Sequence, residues 1–455
     1  MPETWANSVD LHLDLSGTRV RAGLETALRD AIRDGRLAAG TRLPSSRALA
    51  ADLGVARNTV AETYSQLVAA GWLTAQTGSG TSVASRASVP SQPAAVSEAA
   101  ARPRYDLRPG EPDLSSFPRR EWLVAARKAL AVAPDRVLGY GDPRGLASLR
   151  TALAGYLARA RGVVADPDRI VICSGFAHGL AVLSRALRAA GAASMAVEEY
   201  GHQIHRDIVT AQGIDLRLLP IDDRGAVIGA AGDADAVLLT PGHQFPLGVT
   251  LDPRRRRAVA ERGAIVIEDD YDGEFRYDRK PVGAMQALAP DNVIYAGTAS
   301  KSLAPGVRLS WLVVPPRLLS AVTAALDGGP SALDQLTLAE FITSGAYDRH
   351  IRRARLVYHR RRDRLVTAVA GLGLEITGIS AGLHAVLPFI RTDGVLTAMT
   401  RATDHGLALD GLHNYAARAQ PHQDGGDRAG LVIGYGRPPA HAYTTALARL
   451  CAVLG

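Results

Sequence analysis

Beyond Tyr105, short apolar runs alternate with helical segments, and this alternation is the feature that most constrains the fold. Five runs have the length and composition of buried strands: RIVICS (169–174), MAVEE (195–199), AVLLT (236–240), AIVIED (264–269) and VIYAG (293–297). Helical spacing fills the intervals, as in GLAVLSRALRAAG at 179–191. Strands that alternate with helices form a mostly parallel sheet with helices on its faces. The pattern therefore predicts an α/β domain over residues 105–455.

Polar side chains follow several of these strands, at the edge of the sheet where ligand sites of α/β proteins collect. The segment that opens at Ser174 also begins a helix, and the free amides of a helix N-terminus suit a phosphate group. The helix-start segment is Ser174–His178, and the polar side chains at the other positions are Asp269, Asp270, Tyr271, Thr298, Ser300, Lys301 and Arg308.

Lys301 is one of only three lysines, with Lys128 and Lys280, against forty-nine arginines. Unlike arginine, lysine can become a neutral nucleophile and form a Schiff base. A lysine beside hydroxyls, a strand-end carboxylate and a phosphate-binding helix start are what pyridoxal 5′-phosphate (PLP) requires. The lysine attaches the cofactor and the carboxylate keeps its pyridine nitrogen protonated. Taken alone, Lys301 would be an ordinary solvated lysine; the constellation favours cofactor attachment.

The first eighty residues have a different pattern. Residues 18–35 carry helical spacing, and Ser45 can cap a second helix that ends near Leu53. Gly54 then turns the chain, and a third helix extends over about 56–71. Two helices joined by a short glycine turn make a helix-turn-helix. The following TAQTGSGTSVA (74–84) predicts a strand pair that forms a wing, with Gly78 and Gly80 at its tip.

This stretch resembles the winged helix-turn-helix of GntR-type regulators. The matching segments are Leu43–Arg47, Leu53–Val55, Arg57–Val60 and Gly78–Thr81. The resemblance implies that DNA faces Arg47, Arg57, Asn58, Thr59 and the backbone of Gly80. Arg and Asn pair with base edges, and a recognition helix presents its first residues to the major groove. Thr59, Ser79 and Thr81 would bind phosphate or act as local caps.

Charge alone does not decide between DNA binding and an ordinary helical hairpin. Residues 1–85 contain eight arginines and eight acidic residues, whereas residues 36–60 contain four arginines and one aspartate. The positive charge is therefore local, as a DNA-binding face requires. Residues 83–104 are rich in Ala, Ser and Pro and predict a flexible linker. The predicted organisation is a DNA-binding domain over 12–82, the linker over 83–104 and an effector domain over 105–455.

The large domain resembles the fold-type I aminotransferases, and the whole chain resembles the MocR-type regulators, a GntR subfamily that joins the two domains. Further matches are DLRPGEPDLSSFPRREW (106–122), YGDPRGLASLR (140–150), TPGHQFPLG (240–248) and IEDDYDGEFRYD (267–278). The resemblance implies a PLP cofactor, a double-stranded DNA operator and a homodimer, since sites of this fold usually lie at a subunit interface.

Site residues follow from this resemblance position by position. Lys301 would hold the cofactor and would be the catalytic lysine of any enzyme. Asp269, or Asp270 as the alternative, would pair with the pyridine nitrogen, and Tyr271 would hydrogen-bond the phenolic oxygen. The phosphate would be surrounded by the amides of Phe176 and Ala177 and by Thr298, Ser300 and Arg308. His202 would stack on the cofactor ring, and His243 and Gln244 would line the rim of the same site. His384 and His413 are left without an assignment.

Two departures from the aminotransferase pattern favour a sensor over an enzyme. The Asn-Pro-x-Gly turn, whose Asn contacts the cofactor, is replaced by Phe245–Gly248. Val432 stands where an arginine clamps the substrate carboxylate, with Arg437 and Arg418 as possible substitutes. The missing clamp points to PLP itself as effector, as in the PdxR-like branch that controls PLP synthesis. The alternatives are a sensor of an amino acid or amine, a PLP-dependent aminotransferase that carries a DNA-binding module, and a DNA-binding protein that has lost the cofactor.

Other classes of protein are disfavoured by composition. Two distant cysteines, Cys173 and Cys451, argue against a disulfide framework or a zinc site, and no metal site is predicted. The apolar stretches are too short and interrupted for a membrane span, and the N-terminus lacks the layout of a signal peptide. We therefore expect a cytoplasmic protein. The net charge of +7 permits nucleic-acid binding without proving it.

Overall fold

The computed structural model describes residues 20–76, 80–84, 103–277, 282–417 and 428–455. The chain divides into two compact units, Met1–Arg102 and Pro103–Gly455. The predicted domain boundaries at 82 and 105 stay predictions, and most of the predicted linker, residues 85–102, lies outside the described residues. None of the helices in the described ranges is long and apolar enough to cross a membrane.

The N-terminal unit contains α1 (Val20–Arg33), α2 (Ser46–Leu53), α3 (Arg57–Ala69), β1 (Leu73–Gln76) and β2 (Gly80–Val83). Ser45 caps α2, because its Oγ accepts a hydrogen bond from the Ala48 amide at 3.1 Å. Gly54 ends α2 in the left-handed region, at a φ of 65° that glycine adopts without strain. β1 and β2 pair antiparallel as the wing. The helix-turn-helix and wing are confirmed.

The helices of the large unit are α4 (Arg119–Val132), α5 (Ala147–Arg161), α6 (Phe176–Ala189), α7 (Gln203–Ala211), α8 (Pro253–Glu261), α9 (Pro316–Ala324), α10 (Ala332–Thr343), α11 (Ala346–Ala370), α12 (Thr392–Asp404) and α13 (Tyr443–Leu454). Its strands are β3 (Tyr105–Asp106), β4 (Ile170–Cys173), β5 (Ser194–Glu198), β6 (Asp215–Leu219), β7 (Ile221–Asp222), β8 (Gly225–Ala226), β9 (Ala236–Leu239), β10 (Ile265–Asp269), β11 (Val293–Thr298), β12 (Ser310–Val313), β13 (Ala385–Phe389), β14 (Leu407–Ala408), β15 (Asp410–Gly411) and β16 (Ala429–Ile433).

The central sheet has seven strands in the order β4-β12-β11-β10-β9-β5-β6. Its strands are parallel except β12, which runs antiparallel to both β11 and β4. The predicted mostly parallel α/β sheet is therefore confirmed. β4, β9, β10 and β11 are buried almost throughout. Because both of their faces are covered, their sequences are nearly continuous apolar runs.

This topology gathers the polar strand ends at one edge of the sheet. The carboxyl ends of β4, β5, β9, β10 and β11 meet there, and the antiparallel β12 begins there. A separate three-stranded sheet, ordered β13-β16-β15, belongs to the C-terminal part of the same unit. Segments widely separated in sequence thus converge on a single edge.

Candidate functional site

A cleft opens at this edge, and the empty space within it and in its open mouth is about 1050 Å³. Of the residues proposed from the sequence, it is lined by Phe176, His202, Asp269, Tyr271, Thr298, Ser300 and Lys301. It is also lined by Gly110, Val197, Glu198, Tyr200, Gly201, His205, Arg206, Leu238, Thr240, Phe245, Asp272, Leu383 and His384.

Lys301 follows β11 and projects its amine into the cleft. Its Nζ donates a hydrogen bond to the carbonyl oxygen of Gly110 at 2.5 Å. Burial lowers the pKa of the Lys301 amine below its ordinary value, against the opposing attraction of Asp269. A lowered pKa increases the neutral fraction of an amine, and the neutral amine is the nucleophile.

Asp269 and Asp270 face different surroundings. Asp269 lines the cleft, and its Oδ1 is buried without a hydrogen-bond partner among the described residues. Burial raises the pKa of its carboxyl group well above the usual range, although Lys301 opposes this. Asp270 instead accepts hydrogen bonds from Nε and Nη2 of Arg161, at 2.7 and 2.9 Å, and from the hydroxyl of Tyr295 at 2.8 Å. The geometry therefore favours Asp269 over Asp270 as the carboxylate available to a ligand.

Tyr271 lines the cleft, while His243 stands behind it and is absent from the cleft wall. The Tyr271 hydroxyl lies 3.1 Å from His243 Nδ1. The same nitrogen lies 2.8 Å from Oδ2 of Asp272. Gln244, proposed for the rim, is buried and donates through Nε2 to the carbonyl oxygens of Tyr200 and Phe245. Its amide is therefore engaged in holding the loop after β9.

The start of α6 lies beside two further segments at this edge. Gly175, its N-cap, has a φ of 93°, and a Cβ there would approach the Arg308 guanidinium to 3.3 Å. Thr298 Oγ1 accepts the Ser300 amide at 3.1 Å and contacts Ser300 Oγ at 3.0 Å. Ala177 and Arg308 do not line the cleft themselves. Free helix amides, two hydroxyls and a guanidinium suit a phosphate.

His202 caps α7, and its ring stacks on Phe245 with centroids 4.2 Å apart and planes 19° from parallel. Burial lowers the pKa of His202 to about 4 and that of His205 to about 3. Both imidazoles are therefore neutral near pH 7. A neutral ring at His202 can stack on a planar ligand without placing a cation beside it.

Several residues that line the cleft were not predicted from the sequence. His205 lies three residues after His202, so helical spacing could have suggested it. Glu198 ends β5 as Asp269 ends β10, and burial raises its pKa to about 7. Gly110 and Leu383 come from segments far along the chain, and no local signal points to them.

The structure gives no arginine clamp at the position expected for one. Val432 is fully buried in β16, in an apolar cluster with Phe245 and Tyr415. Arg437 is paired with Asp106 and Glu111 instead. Arg418 lies outside the described residues.

The residues proposed for DNA lie on the surface of the N-terminal unit. Arg47, Arg57 and Asn58 are exposed, and Thr59 is partly buried in the first turn of α3. Gly80 is exposed with a φ of 91°. Ser79 lies outside the described residues. The N-terminal turn of α3 thus presents one guanidinium and one amide side chain to solvent.

Comparison with known proteins supports both halves of this description. Residues 105–404 match the family model for aminotransferase class I and II, and residues 21–83 match that for bacterial regulatory proteins of the gntR family. The chain is 32% identical to the HTH-type pyridoxine biosynthesis transcriptional regulator PdxR of Corynebacterium glutamicum, over 92% of each chain.

A second relative, the probable rhizopine catabolism regulatory protein MocR of Rhizobium meliloti, is also 32% identical, over 90% of this chain and 88% of that protein. Among solved structures, an archaeal alanine:glyoxylate aminotransferase has a TM-score of 0.68 and 23% identity, covering 77% of this chain and 90% of its own. This last similarity bears on the fold alone.

Proposed function

Because the chain belongs to the MocR-type transcriptional regulators of the GntR family, we propose that it holds PLP on Lys301 through a Schiff base and couples PLP to DNA binding. The regulated process would be the synthesis of PLP. The single observation that carries the proposal is that Lys301 and Tyr271 share one cleft with Asp269, whose Oδ1 has no hydrogen-bond partner among the described residues.

The cleft residues fit PLP in their donor and acceptor chemistry. The unpartnered Oδ1 of Asp269 offers an acceptor to a protonated pyridine nitrogen. Tyr271 offers a hydroxyl donor to the phenolic oxygen, and His202 a flat neutral ring. When bound, PLP supplies an aldehyde that an amine can attack. The phosphate would be held by Thr298, Ser300, Arg308 and the amides of Phe176 and Ala177.

PLP itself, rather than an amino compound, is the effector that we propose. Val432 offers no charge to a substrate carboxylate, and Arg437 is already paired with two acidic side chains. Loss of a charged hydrogen-bonded pair costs on the order of 1.5–3 kcal/mol. A substrate carboxylate would therefore find no partner at these two positions, and this disfavours turnover as an aminotransferase.

A second candidate, sensing of a carboxylated amino compound, is favoured by Arg206. This guanidinium is buried and lines the cleft, and among the described residues it donates to Gln203 Oε1 and to the Tyr415 carbonyl oxygen. No carboxylate of the described residues forms an ion pair with it. An anionic ligand at the cleft would compensate its charge.

A homodimer is also part of the proposal. The following large apolar side chains of α4 and the segment after it are exposed: Leu123, Val124, Leu130, Val132, Leu138 and Tyr140. Exposed apolar patches of this kind commonly mark protein interfaces. Two DNA-binding domains in one dimer would match a two-part operator.

The proposal is tested by fluorescence anisotropy of the protein on a duplex from upstream of its own gene, with and without PLP. We expect PLP to change affinity about 5- to 150-fold, the usual range for coupled sites. An affinity for the duplex that does not change with PLP but changes with an amino acid would favour the second candidate. Absence of specific binding, together with measurable transamination, would favour an enzyme.

Replacing Arg57 by alanine is expected to weaken operator binding about 5- to 150-fold, since a side chain that pairs with a base edge contributes about 1–3 kcal/mol. Arg33→Ala is the matched control, because it removes the same charge from an exposed ion pair with Asp30 on α1. Equal losses for the two variants would mean that the net charge of the domain, and not a base contact at α3, determines affinity.

A further inference from the structure

Three side chains, Tyr271, His243 and Asp272, contact one another at the cleft wall and directly behind it. The Tyr271 hydroxyl faces His243 Nδ1 at 3.1 Å, and this nitrogen faces Asp272 Oδ2 at 2.8 Å. His243 and Asp272 are both almost fully buried. Tyr271 and Asp272 line the cleft, whereas His243 does not.

The chemistry of the two contacts fixes where the protons lie. An ionised carboxylate only accepts hydrogen bonds, so at 2.8 Å from Asp272 the proton belongs on His243 Nδ1. Tyr271 therefore cannot donate to that nitrogen. The Tyr271 hydroxyl can then donate to Asp272 or to an acceptor in the cleft. The His243 N–H competes with this hydroxyl for Asp272. Burial, with the neighbouring charge of Asp272, raises the pKa of Tyr271 well above its usual range, so the hydroxyl keeps its proton.

The imidazole of His243 has close neighbours. A Cβ on Gly382 would lie 2.3 Å from His243 Cε1 and 2.5 Å from Asp272 Oδ2. The ring of His384 lies 5.0 Å from that of His243, and its Nε2 is bonded to the Pro246 carbonyl oxygen at 3.1 Å. The His243 ring is therefore closely packed in the orientation that pairs Nδ1 with Asp272.

The same loop lacks the asparagine that contacts the cofactor in the aminotransferase pattern. Phe245 takes that position, and its ring stacks with His202. Of the predicted contacts to the phenolic oxygen of PLP, the hydroxyl of Tyr271 remains. The orientation of that one hydroxyl therefore matters more here than where two donors share the task.

We propose that His243 and Asp272 are positioning residues, which keep the proton of Tyr271 directed at the phenolic oxygen of a bound PLP. The proposal rests on the proposed function, because it requires PLP on Lys301. Besides His243 and Asp272, ionisable groups near Tyr271 include Asp269 and Glu198, and Lys301 and His384 also line the cleft.

A metal ion is the competing explanation for the cluster. His243, Asp272 and His384 each offer a ligand atom within 4.8 Å of the others. A cation bound to His243 Nδ1 would require the lone pair that the N–H bond to Asp272 uses, and His384 Nε2 is already bonded to Pro246. A hydrogen bond from His243 Nδ1 to Asp272 therefore explains the observed contacts without a metal ion.

The test is a pH titration of the visible absorbance of the lysine-bound cofactor. A donor to the phenolic oxygen neutralises part of its negative charge and so weakens its hold on the proton of the lysine nitrogen. Tyr271→Phe removes the donor and should raise the titration midpoint by about 1 pH unit. Asp272→Asn keeps the shape but removes the ionised acceptor that holds the proton on His243 Nδ1, so this nitrogen can accept from Tyr271 and the midpoint should rise. Loss of the Asp272 charge by itself would lower the pKa of the lysine nitrogen, so a rise would report the lost donor and not the lost charge.

Two further variants separate positioning from general disturbance. His243→Asn keeps an N–H near the Nδ1 position and should retain the wild-type midpoint, whereas His243→Leu should reproduce the Asp272→Asn shift. Tyr295→Phe is the matched control, because this hydroxyl donates to Asp270 at 2.8 Å and does not line the cleft. We expect no shift for it.

The outcomes distinguish the two levels of the proposal. If the wild-type protein with added PLP has no visible band, the proposed function fails and the positioning role fails with it. If the band is present and Tyr271→Phe shifts the midpoint, but Asp272→Asn and His243→Leu do not, only the positioning role is overturned. Stoichiometric metal in the wild type, with chelation reproducing the Asp272→Asn shift, would also overturn it.

Discussion

Replacing Lys301 by alanine is expected to abolish covalent retention of PLP and, with it, the response of DNA binding to PLP. Among the described residues that line the cleft, Lys301 is the only lysine, and none of the others can form the same bond. The visible absorbance of the lysine-bound cofactor should disappear after dialysis. Operator affinity measured without PLP should remain within about twofold of wild type, since the N-terminal unit keeps its own core.

Two control substitutions make this result specific. Lys301→Arg keeps a positive charge but cannot attach the cofactor, so it should behave like alanine. Lys128→Ala makes the same change at an exposed lysine paired with Glu340, and should leave both readouts unchanged. A Lys301→Ala protein that still binds DNA differently with PLP would show that the response does not require covalent attachment.

The fold was largely predictable because its main signals are local. Buried strands are continuous apolar runs, and Ser45 and Gly54 mark the ends of α2 by their own side-chain and backbone properties. The antiparallel direction of β12 was not predictable in this way. A strand of four residues has the same apolar pattern in either direction, and only the neighbours that it joins, β4 and β11, decide.

The candidate site was predictable where its residues follow a strand and not where they come from elsewhere. Asp269 and Asp270 are adjacent and chemically identical, so the sequence left the choice open. The structure separates them because one faces the cleft and the other faces Arg161. Gly110 reaches Lys301 across 191 positions of the chain, a proximity that only the complete fold creates.

The adjacent aspartates should give opposite results when each is replaced by asparagine. Asp269→Asn should lower PLP affinity about tenfold to a hundredfold, because it removes a charged hydrogen-bond acceptor from the ligand. Stability should hardly change, since Asp269 Oδ1 has no hydrogen-bond partner among the described residues. Burial already raises the pKa of this carboxyl group well above its usual range, so an uncharged amide costs the folded protein little.

Asp270→Asn should instead lower the free energy of unfolding by about 3–5 kcal/mol, because it leaves the Arg161 guanidinium buried without its counterion. Both side chains are less than a tenth exposed, and Arg161 contributes two hydrogen bonds to the pair. Urea denaturation of the protein without PLP measures the stability term, and PLP titration followed by absorbance measures the affinity term. If Asp270→Asn lost PLP while unfolding normally, and Asp269→Asn did the reverse, the roles assigned to the two carboxylates would have to be exchanged.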